Sequence, residues 1–140
     1  MVTTTAKNVM TPDPEHIHED DTIQEAAKLL ARLNIGAMPI CDGEKLRGML
    51  TDRDIVTKVV AQGKDPSKVK ARELETGDLV WVRDDSSLED AMRTMAHHKI
   101  RRLPVIDSNR KLVGMLSQAD VVKALPKDKA GEMVEAISRD

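Results

Sequence analysis

Two short stretches of this 140-residue chain combine a hydroxyl side chain with a carboxylate three residues later. Thr51 precedes Asp54 in GMLTDRDIV, and Ser117 precedes Asp120 in GMLSQADVV. Such a pair is ordinary helix-capping chemistry, worth about 1 kcal/mol. The same geometry also suits a ligand, because the free N–H groups at a helix start attract a phosphate and a carboxylate accepts hydrogen bonds from sugar hydroxyls. Both interpretations stay open at this point.

The other reactive side chains do not form a catalytic or metal-binding set. His16, His18, His97 and His98 lack the Cys or His partners of a tetrahedral metal site, so we predict no metal, with a site shared across a dimer interface as the alternative. His97 and His98 adjoin near a helix end and are expected to point apart. Cys41 lies in an apolar run and is expected to be a buried, inert thiol. Without a nucleophile–base–orienter set or a glycine-rich phosphate loop, the chain is predicted not to be an enzyme.

The composition disfavours several classes of partner. Lys+Arg 22 against Asp+Glu 24 leaves a net charge of -2, so there is no global attraction to nucleic acid or to an anionic membrane. The short stretch HHKIRR is the only basic patch, and one Trp with no Tyr or Phe disfavours base stacking. The apolar runs are too short to cross a membrane, and the single cysteine fits a reducing compartment. We therefore predict a cytoplasmic protein that binds neither nucleic acid nor membrane.

The chain contains an internal repeat. A shift of 65 residues aligns nine identical pairs, and a shift of 66 residues aligns six more beyond a one-residue insertion. Average composition predicts roughly three identities over a segment of this length. We therefore predict two repeats, at 6–60 and 71–125, joined by a linker at 61–70 and followed by a tail at 126–140 that we expect to be helical.

Each repeat predicts the order strand, helix, strand, strand, helix. A short strand at 16–18 precedes a helix whose first turn carries a capping-box pattern at Thr22, and a strand at 79–82 precedes the matching helix at Ser87. Two apolar runs separated by a turn then predict a hairpin, AMPIC with LRGML in the first copy and RLPVI with LVGML in the second. Each unit is marginal alone, so the two are expected to pack together.

The last helix of each repeat begins at the Thr or Ser described above. In the first copy this helix is expected to end near Gly63, which occupies a C-cap position. Its apolar stripe is expected to consist of Ile55, Val56, Val59 and Val60.

The motifs of both copies resemble those of the CBS-domain pair, the Bateman module of two tandem cystathionine-β-synthase domains. IGAMPICD with GMLTDRDIV, and IRRLPVID with GMLSQADVV, match an apolar–Pro–apolar–x–Asp strand followed by Gly–x–x–Thr/Ser–x–x–Asp. The whole chain also resembles bacterial stand-alone pairs of the hypoxic-response type. The resemblance implies an α/β (α+β) fold of two strand–helix–strand–strand–helix repeats with pseudo-two-fold symmetry. It also implies two clefts between the repeats, which in the family often bind AMP, ADP or ATP and sometimes S-adenosylmethionine.

The resemblance assigns roles to the residues singled out first. Thr51 is implied to face a phosphate and Asp54 a ribose in one cleft. Ser117 and Asp120 are implied to repeat these roles in the other cleft.

The resemblance also implies that the two clefts differ. In nucleotide-binding members of the family, basic residues at the positions of Arg101 and Arg102 reach the phosphates in the cleft whose Thr and Asp come from the other repeat. In the first repeat of this chain, the residues that align with Arg101 and Arg102 are Gly36 and Ala37. The cleft of Thr51 is therefore expected to be the stronger one, because guanidinium groups bind phosphate oxygens in a bidentate manner. The alternative is that both arginines are solvated or pair with acidic neighbours.

These observations lead to one predicted function and one alternative. The prediction is a ligand-sensing regulatory module that binds AMP, ADP or ATP, needs no cofactor and signals to an unidentified protein partner. The module is expected to form a homodimer, partly because Met133, Val134 and Ile137 give the tail an apolar stripe. The alternative is a structural or protein–protein interaction module whose clefts are empty.

Overall fold

The computed structural model describes residues 4–75, 79–126, 128 and 131. The chain divides into two compact units. The first-repeat unit comprises Glu15–Leu79, and the second-repeat unit comprises Met1–Pro14 together with Val80–Asp140. The predicted apolar stripe of the tail, at 133, 134 and 137, lies outside the described residues.

The elements confirm the order strand, helix, strand, strand, helix in both units and add short N-terminal segments. In chain order they are α1 (Ala6–Val9), β1 (Thr11–Pro12), β2 (Ile17–His18), α2 (Ile23–Leu33), β3 (Ala37–Asp42), β4 (Lys45–Thr51), α3 (Asp52–Ile55), a π-helical turn (Val56–Val60), a 3-10 helix (Ala71–Leu74), β5 (Val82–Arg83), α4 (Leu88–His98), β6 (Arg102–Ile106), β7 (Leu112–Ser117) and α5 (Gln118–Ala124).

Each unit contains one sheet built around a hairpin. In the first-repeat unit the order is β2-β3-β4, with β2 and β3 parallel and β3 and β4 antiparallel. In the second-repeat unit the order is β1-β7-β6-β5, with the same parallel and antiparallel relations for the three corresponding strands. The hairpins predicted from the two pairs of apolar runs are therefore confirmed.

Local sequence accounts for the two long helices. The Thr22 hydroxyl accepts the Glu25 N–H at 3.1 Å, and the Ser87 hydroxyl accepts the Asp90 N–H at 3.1 Å. These bonds satisfy donors that the first helical turn leaves free. Both helices end at a residue with left-handed backbone and φ 54, which lets the chain turn into the following strand (Asn34 and Lys99).

The apolar stripe predicted for the last helix of the first repeat is half wrong. Ile55 and Val59 are buried, but Val56 is 57% exposed and Val60 is 61% exposed. The helix widens into the π-helical turn, whose Ala61 N–H donates to the Val56 carbonyl at 2.8 Å, so the regular helical spacing does not continue. The π-helical turn ends at Val60, and Gly63 follows as the predicted capping glycine. Gly63 has φ +69, its N–H donates to the Val60 carbonyl at 3.1 Å, and the Lys64 N–H donates to the Val59 carbonyl at 3.0 Å.

The strand predicted at 79–82 is also shorter than expected. β5 begins only at Val82, which pairs with Val105 of β6. Trp81 lies just before the strand, and its side chain is 37% exposed.

The N-terminal segment of each repeat packs on the unit that contains the other repeat. In the second-repeat unit the Ala6 N–H donates to the Ser86 carbonyl at 2.9 Å. In the first-repeat unit the Ala71 N–H donates to the Asp21 carbonyl at 2.8 Å. These residues correspond under the 65-residue shift, so the two units repeat the same hydrogen bond.

Each unit has its own hydrophobic core. In each unit the core is formed by side chains from the predicted apolar positions of the helices and by side chains from both hairpin strands. Fully buried side chains include, in the first-repeat unit, Ile23, Met38, Ile40, Leu50 and Val59, and in the second, Met95, Leu103, Val105, Leu116 and Val121.

Candidate functional site

Thr51 and Asp54 form a reciprocal cap at the start of α3. The Thr51 hydroxyl accepts the Asp54 N–H at 3.0 Å, and the Asp54 Oδ2 accepts the Thr51 N–H at 3.2 Å. The second carboxylate oxygen, Oδ1, lies 3.4 Å from the Lys58 ammonium. The Asp54 side chain is 21% exposed, so this carboxylate is reachable from solvent while its position is fixed by the cap.

Ser117 and Asp120 repeat the cap at the start of α5. The Ser117 hydroxyl accepts the Asp120 N–H at 3.1 Å, and the Asp120 Oδ2 accepts the Ser117 N–H at 3.3 Å. The two caps differ in the residue four positions after the Asp: Lys58 in the first repeat aligns with Ala124 in the second. Within the described part of the chain, Asp120 therefore has no ammonium partner. Sequence reasoning missed this asymmetry, although the aligned repeats contain it.

The glycine of each motif lies where another segment of the same unit approaches the sheet. A Cβ added to Gly48 would lie 3.1 Å from the Glu75 Cγ. A Cβ added to Gly114 would lie 2.8 Å from the Met10 Cγ and 3.0 Å from the Thr11 carbonyl oxygen. A side chain at Gly114 would overlap its neighbours, whereas a side chain at Gly48 would require only a small shift of Glu75.

Arg101 and Arg102 are exposed at the start of β6. Arg102 pairs in register with Ser117, and the Arg101 carbonyl accepts the Gln118 N–H at 2.7 Å. Neither guanidinium has an ion-pair partner among the residues described by the structure. The predicted pairing of these arginines with Thr51 and Asp54 joins residues of different units.

Three of the histidines make contacts that the sequence did not predict. The His18 Nδ1 accepts the Asp20 N–H at 3.1 Å, and its Nε2 lies 3.7 Å from the Asp42 carboxylate. His97 and His98 do not point apart, since their rings meet edge to face with centroids 4.9 Å apart. Across residues 4–75 and 79–126, no group of three or more His, Cys, Asp or Glu side chains is arranged to hold a metal ion.

Two further features concern single side chains. Cys41 is buried, as predicted, and burial raises the pKa of its thiol to about 11. The Arg110 guanidinium lies 5.8 Å from the centroid of the Trp81 ring, which is within the range of a cation–π contact.

None of the helices that the structure describes is long and apolar enough to cross a bilayer.

The chain is similar over nearly its whole length to curated proteins built as stand-alone pairs. It is 39% identical to Hypoxic response protein 1 of Mycobacterium tuberculosis over 135 residues, which covers 96% of this chain and 94% of that protein. It is 41% identical to the CBS domain-containing protein YhcV of Bacillus subtilis, with 94% of each chain covered.

Solved structures show the same architecture. The crystal structure of Hypoxic Response Protein I with two coordinated zinc ions has a TM-score of 0.80 and 40% identity, covering 88% of this chain and 100% of that chain. CBSX2 in complex with AMP has a TM-score of 0.72 and 29% identity, covering 86% and 94%. The cytosolic domain of the Mg²⁺ channel MgtE in complex with ATP has a TM-score of 0.74 and 29% identity, covering 86% and 48%.

A family model of the CBS domain matches the chain twice, at residues 6–61 and 71–127. These two matches account for most of the chain, and both contain the capped Thr–Asp or Ser–Asp pair described above. The chain therefore belongs to the CBS-domain family, as a tandem pair of CBS domains.

Proposed function

We propose that this chain is a regulatory module that binds an adenine nucleotide (AMP, ADP or ATP) and signals its occupancy to a partner protein. The observation that carries the proposal is the same reciprocal cap in both units, which fixes a carboxylate without burying it. A carboxylate held in this way can accept hydrogen bonds from ribose hydroxyls. Relatives of the same fold were solved with AMP and with ATP, which supports this class of ligand.

The proposed nucleotide prefers the cleft to which Thr51 and Asp54 contribute. We assign Arg101 and Arg102 to the phosphates of that nucleotide, because both guanidinium groups are exposed and lack ion-pair partners among the described residues. Lys58 adds a third cation next to Asp54, whereas Ala124 takes its place beside Asp120. The positive charge therefore favours phosphate-bearing ligands over a neutral nucleoside.

The test is a calorimetric titration of the full chain with adenosine, AMP, ADP and ATP. Replacing Arg102 by Ala is expected to weaken ATP and ADP far more than adenosine, because the guanidinium meets only the phosphates. Arg32→Ala, an exposed arginine at the end of α2, is the matched control and is expected to bind like the wild type. Raised salt is expected to weaken ATP and to leave adenosine nearly unchanged. Equal losses for adenosine and ATP in Arg102→Ala would contradict the assignment.

A second candidate is a protein–protein interaction module whose clefts are empty. It is favoured by Gly36 and Ala37, which provide no cation, and by exposed apolar side chains in the first-repeat unit. The same titration separates the two candidates. No heat from any of the four ligands at millimolar concentration would select the interaction module.

We also propose that the chain forms a homodimer through the α2 and α3 face of the first-repeat unit. A groove of about 480 Å³ lies there, lined mainly by apolar residues that include Leu30, Ile35, Ile55 and Val56. Val56 and Val60 are both more than half exposed, which is unusual for valine and typical of an interface. A second copy of the chain offers the same apolar face in return, as a two-fold interface requires.

The remaining parts of the proposal concern location and chemistry. A single buried cysteine fits a reducing compartment, and we propose a cytoplasmic location. The CBS match covers both units, and we propose a non-catalytic role.

A further inference from the structure

The same niche beside a strand glycine holds Met10 in one unit and Glu75 in the other. Both residues follow a short helical segment, and they correspond under the 65-residue shift. Their backbones match, with φ -61 and ψ 155 for Met10 and φ -63 and ψ 127 for Glu75. Met10 packs on Gly114, and Glu75 packs on Gly48. A niche that takes an apolar side chain in one repeat therefore takes a carboxyl group in the other.

The carboxyl group of Glu75 is poorly compensated. Its Oε1 is buried and has no hydrogen-bond partner within the described part of the chain. Glu19, whose side chain is only 16% exposed, lies beside it. Burial first, and then a hydrogen bond with Glu19 and the charge of Glu19, raise the pKa of Glu75. Two carboxyl groups can share such a hydrogen bond only when one of them carries a proton.

The nearby cations relieve this pair only partly. Arg47 and Arg72 both act to lower the pKa of Glu75, yet burial and Glu19 outweigh them. Arg72 is 3.8 Å from the Glu19 carboxylate but also forms an ion pair with Asp20. Arg47 is held 3.6 Å from Asp42. Both guanidinium groups are thus shared with other carboxylates.

The segment that ends at Glu75 is tied to its unit mainly through backbone hydrogen bonds. The Ala71 N–H donates to the Asp21 carbonyl at 2.8 Å, and the Arg72 N–H donates to the Glu19 carbonyl at 2.9 Å. Glu75 follows these bonds along the chain, and its side chain packs on Gly48 of β4. The Glu75 side chain is thus a contact between the end of this segment and β4 besides the backbone hydrogen bonds.

We propose that Glu75 is a proton-dependent clasp that fastens the 71–75 segment to the sheet of the first-repeat unit. When Glu75 is protonated, it donates a hydrogen bond to Glu19 and rests on Gly48. When both carboxyl groups are ionised, they repel each other in a partly buried setting, and Glu75 leaves the niche for solvent. The proposal rests on Glu75, Glu19 and Gly48 and does not use the proposed nucleotide site.

The sign of the pH dependence follows from linkage. An acid whose pKa is raised on folding binds its proton more tightly in the folded state than in the unfolded state, where its ordinary value is 4.5. Its stabilising effect is therefore complete below that value and is lost as the pH rises through the raised pKa. The clasp should therefore be closed below pH 4.5 and open once the pH exceeds the raised pKa.

The experiment measures, on the full chain from pH 4 to pH 8.5, urea unfolding and hydrogen exchange of the peptide that covers 70–75. Exchange is expressed as protection relative to the intrinsic rate at each pH. Glu75→Gln keeps the shape and a permanent donor to Glu19, and Glu75→Met copies the repeat partner Met10. Glu15→Gln, an exposed glutamate of the same unit, is the control for removal of one charge.

In the wild type and in Glu15→Gln, protection of the 70–75 peptide is expected to fall as the pH rises. In Glu75→Gln and Glu75→Met it is expected to stay high throughout. At pH 8 the folded-to-unfolded ratio of Glu75→Met is expected to exceed that of the wild type by roughly fivefold, equivalent to about 1 kcal/mol. The proposal is overturned if protection in Glu75→Gln follows the wild type across the pH range, or if Glu75→Met is less stable than the wild type at pH 8.

Discussion

Substitution of Gly114 tests quantitatively how the N-terminal segment of each repeat packs on the sheet of its unit. It lies on β7 under Met10 and β1, whereas Gly48 lies on β4 under Glu75. A Cβ at Gly114 would overlap the Met10 sulfur and lie 3.0 Å from the Thr11 carbonyl oxygen, which is backbone and cannot rotate away. A Cβ at Gly48 would meet first the Glu75 Cγ at 3.1 Å, which belongs to a flexible side chain. The same substitution should therefore cost more at Gly114.

Overpacking of this kind costs about 1–3 kcal/mol, and the backbone contact places Gly114→Ala near the middle, at about 2 kcal/mol. We expect Gly48→Ala to cost less than about 1 kcal/mol, because a small shift of Glu75 relieves the contact. The assay is urea unfolding followed by far-ultraviolet circular dichroism for both variants. Trp81 fluorescence gives a second reading for Gly114→Ala, since both residues lie in the second-repeat unit.

A double variant shows whether Met10 is the cause. Met10→Ala removes the side chain that the new Cβ would strike, so Met10→Ala with Gly114→Ala should be more stable than the sum of the single effects predicts. A coupling of about 0.5–3 kcal/mol is typical of residues in direct contact. Equal losses at Gly114 and Gly48, or strictly additive effects in the double variant, would refute the packing of α1 and β1 on β7 as described.

Two further predictions concern a buried thiol and an exposed valine. Burial raises the pKa of Cys41 to about 11, so the thiol is protonated at pH 8. We expect it not to react with a thiol reagent until urea unfolds the chain. Rapid reaction of the native protein would contradict the burial of Cys41. Val56→Asp places a charge on the proposed dimer face, so light scattering is expected to show dissociation, whereas Asn109→Asp, in an exposed turn of the second-repeat unit, keeps the wild-type mass. A monomeric wild type at tens of micromolar would reject the dimer.

Features set by residues close in sequence were predictable. The starts of α2 and α4 follow from Thr22 and Ser87, whose hydroxyls bond to N–H groups three residues on. The hairpins follow from paired apolar runs around a short turn. The repeat itself then transfers each prediction from one copy to the other, including the caps at Thr51 and Ser117.

Features set by contacts between distant residues were not predictable. Nothing local in the sequence indicates that the Ala71 N–H bonds to the Asp21 carbonyl, 50 residues away, so the attachment of each N-terminal segment was missed. Regular helical spacing predicted Val56 inside, but the π-helical turn changes the angle between successive side chains and leaves it exposed. Glu75 looks like an ordinary polar loop residue until its contact with Gly48 is known.

The most direct test of the proposed function compares Asp54→Asn with Asp120→Asn in calorimetric titrations with ATP and AMP. Asparagine keeps an oxygen that can accept the capping N–H but loses the charge offered to ribose, so a change in affinity is not mistaken for a lost cap. We expect Asp54→Asn to weaken binding by about 1.5–3 kcal/mol, the scale of charge-assisted hydrogen bonds, and Asp120→Asn to change it little. Equal losses in the two variants, or a larger loss in Asp120→Asn, would contradict the preference for the cleft of Thr51 and Asp54. A larger loss in Asp120→Asn would assign Arg102 to Ser117, its neighbour in the hairpin.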